Sequence, residues 1–97
     1  MITKDEALAI TRNGQVKTIL KAIAEIDHHI RVAAEEGYDG VGMDLHVRKL
    51  DKNERRTIKL YYEILGYQKV KVGRRSIDIS WGKVMPGADN IITLVGE

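Results

Sequence analysis

Gly40-Val41-Gly42-Met43-Asp44-Leu45-His46-Val47 is the stretch whose reading decides the fold. Val41, Met43, Leu45 and Val47 alternate with Gly42, Asp44, His46 and Arg48. A period of two means a strand with one buried face and one wet face. Helical patterns stand on both sides of it, so the strand must belong to a sheet that helices cover.

Upstream, Thr3 and Glu6 have the spacing of a capping box, so a short helix is expected to begin near Lys4. Asn13-Gly14 is expected to end it, because both residues tolerate the left-handed conformation that stops helices. A second helix then runs from about Gln15 to Glu36. Its apolar positions Val16, Ile19, Ile23, Ile26, Ile30 and Ala33 form a heptad seam, and Gly37 closes it. Such a seam either lies on its own sheet or meets a second subunit. Downstream, Asp51 caps a third helix with Glu54 at the capping-box position, and Gly66 stops it. Val70 and Val72, then Ile77, Ile79 and Trp81, alternate with polar residues as a hairpin. The turn Gly73-Arg74-Arg75-Ser76 joins them, its glycine allowing a positive φ.

The order is α-α-β-α-β-β: a two-layer α+β domain with a small antiparallel sheet and helices on one face. Residues 1–81 read as a single domain. Residues 82–97 read as a linker and a C-terminal strand or arm, where Ile91, Ile92 and Leu94 would pair as a fourth strand or reach another copy.

Composition narrows the class. A 97-residue chain with 43% apolar and 31% charged residues is that of one globular domain. It has no cysteine, which excludes disulfides and thiolate metal sites. The start MITKDEALAI has acidic residues where a secretory signal has a basic start and an apolar run. No stretch approaches a membrane span. The expectation is a cytoplasmic protein that does not act in a membrane.

Charge is concentrated. Between Arg48 and Arg75 ten basic side chains face three acidic ones, a local net of +7 in a chain of +2. On the third helix Lys52, Arg55, Arg56 and Lys59 share one face, expected to point away from the sheet, while Ile58, Tyr61, Tyr62 and Leu65, widened by Leu60 and Ile64, form an apolar arc. Lys69 and Lys71 fall on the opposite side of the sheet. The candidate anion- or partner-binding residues are Arg48, Lys52, Arg55, Arg56, Lys59, Arg74 and Arg75. The candidate self-association residues are Ile19, Ile23, Ile26 and Ile30 together with Ile91, Ile92 and Leu94.

Catalytic chemistry finds little footing. A helix followed by an Arg-Arg hairpin looks like a winged helix-turn-helix, but a whole strand separates it from the preceding helix. Adjacent His28 and His29 diverge by about 100° and cannot chelate together; Glu25 and His29 have chelate spacing, yet a solvated face explains them. His46 with Asp44, near Asp78 or Ser80, could form an acid-base pair, but no nucleophile motif or phosphate loop accompanies it. The expectation is a protein without catalytic residues, metal or cofactor.

A helix ending in Leu65-Gly66-Tyr67, a Val70–Val72 strand, a short turn and Ile77–Trp81 resemble small uncharacterised accessory proteins of tailed bacteriophages. In those, too, a long alanine- and isoleucine-rich helix like that of 16–37 precedes a short strand. The resemblance implies a phage accessory protein, either a minor virion component or a factor that binds and alters a host protein in the host cytoplasm. The expected function is therefore protein–protein binding with self-association as a homo-oligomer. Two alternatives stand beside it: nucleic-acid binding through the basic helix and hairpin tip, and binding of an anionic nucleotide at a subunit interface.

Overall fold

The computed structural model describes residues 1–83, and the Ile91–Val95 run lies outside them. Two helices and three strands follow in the order α1 (Lys4–Glu35), β1 (Gly40–Asp44), α2 (Lys52–Ile64), β2 (Lys69–Val72) and β3 (Ser76–Ser80). The architecture is α+β, with one helix fewer than the expected order.

The missing boundary is at Asn13-Gly14. α1 runs through it as one helix of 32 residues, about 48 Å at the usual rise. Gly14 does not adopt a positive φ; Gly37, Gly66 and Gly82 do. An interior glycine costs a helix only about 1 kcal/mol, whereas ending and restarting a helix costs a second nucleation. The Thr18 hydroxyl also donates to the Gly14 carbonyl at 3.1 Å, within the uninterrupted turn. Thr3 accepts from the Glu6 amide as the N-cap, as its spacing implies.

The sheet is antiparallel with order β1-β3-β2, so the last of the described strands is central. Val41 faces Ile79 and Val70 in one row, and Met43 faces Ile77 and Val72 in the next. These rows form the covered face. α1 packs over β1 and α2 over β2. The core gathers Ala22 and Ile26 of α1, Ile58 and Tyr62 of α2, Ile77 and Ile79 of β3, and Leu45 and Leu50 between β1 and α2. Gly40, Gly42, Lys69, Lys71, Asp78 and Ser80 share the other face, which no helix among the described residues covers.

β1 stops at Asp44, short of the expected run to Arg48. Residues 45–50 instead fold against the hairpin turn: Leu45 donates its amide to the Arg75 carbonyl at 2.7 Å, and Leu50 to that of Arg74 at 2.8 Å. The turn is closed by Gly73 N–H to the Ser76 carbonyl at 2.8 Å. Gly73 is not at positive φ as expected; glycine suits this site because a Cβ would lie 2.7 Å from the Ser76 hydroxyl oxygen. Aromatic edges tie the opposite end, with Tyr62, Tyr67 and Trp81 in successive T-shaped contacts.

Candidate functional site

α2 begins at a full capping box: Asp51 accepts from the Glu54 amide at 2.7 Å and Glu54 accepts from the Asp51 amide at 2.9 Å. Glu54, 1% exposed, also takes both terminal nitrogens of Arg48, at 2.8 and 2.6 Å. That double hydrogen bond raises the Arg48 pKa above its ordinary value. Arg48, expected as an anion-binding residue, is therefore largely committed inside the chain. Arg55 is partly committed as well, donating to the Leu50 carbonyl at 2.8 Å.

The other candidates are open. Lys52, Arg56 and Lys59 are exposed on one flank of α2, and Arg74 and Arg75 are exposed in the turn. Lys69 and Lys71 stay on the uncovered sheet face, so the basic residues do not form a single trough. Arg75 and Arg48 do converge, beside Lys21 of α1, around a cleft that Thr18, Leu45, His46 and Val47 complete. Lys21 was not legible as a member of this group. Only the docking of residues 45–50 onto the hairpin turn brings it there.

His46 does not pair with Asp44, Asp78 or Ser80. Asp44 stands opposite Ser76 and Asp78 opposite Gly42. The His46 amide and ring instead close on Glu25 of α1, with N–H to carboxylate distances of 2.9 and 3.1 Å. Ring Nδ1 lies 2.5 Å from Glu25 Oε1. This pair fastens α1 to the end of β1. No group of three or more potential metal ligands occurs among the described residues.

Between the helices, the Tyr62 hydroxyl donates to Asp27 Oδ1 at 2.8 Å and reaches the Ile23 carbonyl at 3.4 Å. Burial first, then the Asp27 bond, push the Tyr62 pKa well above the usual tyrosine range. Burial raises Tyr67 in the same direction. At the other end Gln15 donates to Asp51 at 3.0 Å. The two helices thus lie side by side and parallel.

The seam of α1 is mostly turned inward. Ile26 is fully buried, and Ile19, Ile23 and Ile30 pack against the core, so these four serve the chain's own fold. The surface left for a partner is different. Val16 and Leu20 continue the Ile23–Asp27 stripe beside α2, and Leu20 is 60% exposed. On α2, Leu60 and Ile64 lie roughly opposite Tyr62, pointing away from the sheet, with Ile64 82% exposed. The apolar arc is thus divided: Ile58 and Tyr62 are buried, whereas Leu60, Tyr61, Ile64 and Leu65 are not. Of the basic stripe, Lys52, Arg56 and Lys59 are exposed and Arg55 is half-buried. Ahead of Gln15, α1 carries exposed Leu8 and Ile10 and no side-chain tertiary bond among the described residues.

No helix among the described residues is long and apolar enough to cross a membrane. In comparison with known proteins, no family model, curated protein or solved structure matches this chain.

Proposed function

We propose that this chain is a non-enzymatic accessory protein of the phage type, acting by protein–protein contact and associating with a second copy of itself. The observation that carries this reading is the set of large apolar side chains that the helical layer leaves exposed: Val16 and Leu20 on α1, and Leu60, Tyr61 and Ile64 on α2. Large exposed apolar side chains, where they adjoin, mark a surface that a partner covers. The N-terminal part of α1 adds to the argument. A projecting helix of about ten residues is marginal in water, and Leu8 and Ile10 offer what a partner would cover. Burying a Leu or Ile stabilises by roughly 1.5–3 kcal/mol each, enough for association once several are covered together. In the host cytoplasm or the virion, the same surface would serve to modulate a host factor or to join an assembly.

Sedimentation velocity across a hundredfold concentration range tests the self-association. The expected result is a dimer that Leu60→Asp with Ile64→Asp converts to monomer. A strict monomer at every concentration overturns that part of the reading. Lys52, Arg56 and Lys59, which share an exposed flank of α2, favour nucleic-acid binding as a second reading. It requires salt-sensitive retardation of DNA or RNA.

A further inference from the structure

The cleft beside α1 has a composition that the apolar surface does not explain. It measures about 660 Å³ and is lined by Thr18 and Lys21 of α1, residues 45–48 and Arg75 of the hairpin turn. That volume is within the range of sites for drug-sized ligands, roughly 300–1,000 Å³. Three separate parts of the chain each bring one cation to it. Their charges are not equally spent. Arg48 is braced by Glu54, and His46 is held by Glu25, so those two carboxylates offset part of the field. Lys21 and Arg75 have no acidic partner among the described residues. The amides of Val47 and Arg48 also find no acceptor there, whereas those of Leu45, His46 and Leu50 do.

We infer that this cleft binds the phosphate of a small, nucleotide-sized ligand, held by Lys21 and Arg75, with Arg48 and the 47–48 amides beside them. The chemistry separates phosphate from carboxylate. A carboxylate brings one charge and two oxygens; a phosphate brings up to two charges and three oxygens for donors arriving from different directions. The bonds to Glu54 hold the Arg48 guanidinium rigid, so little freedom is lost when its remaining N–H groups meet an anion. Leu45 and Val47 supply an apolar wall for the organic part of the ligand. None of its lining residues belongs to the exposed apolar set Val16, Leu20, Leu60, Tyr61 and Ile64, so it does not depend on self-association.

The test is an amide chemical-shift titration of the full chain with inorganic pyrophosphate, a nucleoside monophosphate and a single-stranded oligonucleotide. The expected result is saturable shifts for the small phosphates at Thr18, Lys21, residues 45–48 and Arg75. Lys21→Gln and Arg75→Gln should each weaken binding about tenfold. Lys52→Gln with Arg56→Gln should leave it unchanged. Both cleft side chains are exposed and the Arg75 turn bond uses its backbone, so the folded spectrum is the control for each variant. Absence of saturation by either small phosphate, or shifts indifferent to the cleft substitutions, overturns the inference. Saturation by the oligonucleotide alone also overturns it, in favour of a polynucleotide surface.

Discussion

Arg48 and Glu54 meet in a two-pronged ion pair, side chain to side chain, at 2.8 and 2.6 Å across the start of α2. The carboxylate is buried and also completes the helix cap, so one residue joins the 45–50 segment to α2. Removing the arginine leaves that buried charge without its cation, which costs more than the pair itself contributes. Arg48→Met should lower the urea midpoint clearly. Arg48→Met combined with Glu54→Leu should lose less than the two single changes together, as a double-mutant cycle in urea would show.

Gly14 has open space around its missing Cβ and lies within continuous helix. Gly14→Ala should therefore raise helix stability by about 1 kcal/mol. Hydrogen exchange would show it as roughly fivefold greater protection of amides near residues 10–18. A helix that ended at Asn13 would show no such gain.

Tyr62 gives a pH dependence with a definite sign. Its folded pKa is raised, so the stability it contributes is fully present below the unfolded value of about 10. As pH climbs past that point the unfolded chain releases the proton and the folded chain keeps it. Stability should then fall by about 1.4 kcal/mol per pH unit for each retained proton. Tyr62→Phe should flatten this alkaline slope while costing about 1 kcal/mol at neutral pH through the lost bond to Asp27. Urea unfolding between pH 8 and 11 measures both.

The two sides of α1 should respond oppositely to truncation. Ile26→Ala should cost about 2–5 kcal/mol, because Ile26 is fully enclosed by core neighbours. Leu20→Ala should change monomer stability by less than about 0.5 kcal/mol while weakening self-association. Denaturation paired with sedimentation distinguishes them.

How much was legible follows from the range of each signal. The period-two alternation at Val41–Leu45 and Val70–Ile79, the Asp51–Glu54 cap and the stops at Gly37 and Gly66 are local, and they read through to the structure. Asn13-Gly14 misled because a residue that permits a left-handed turn does not compel one. The α2 arc misled differently. Apolar spacing marks Leu60 and Ile64 as helix-face residues, but not whether sheet or solvent meets that face. The Arg48–Glu54 and Glu25–His46 pairs are invisible to spacing, since both depend on how residues 45–50 turn after β1. The assembly of Lys21, Arg48 and Arg75 depends on that same turn.

The central position of β3 has a consequence for biosynthesis. Among the described strands β1 hydrogen-bonds only to β3, so residues 40–44 leave the ribosome long before that partner, residues 76–80, is translated. The first half of the chain must wait as an emerging helix with an unzipped ribbon behind it. Closing the hairpin then supplies the template onto which β1 and α1 collapse. The rate-setting event of folding should accordingly be the capture of an early strand by a late one.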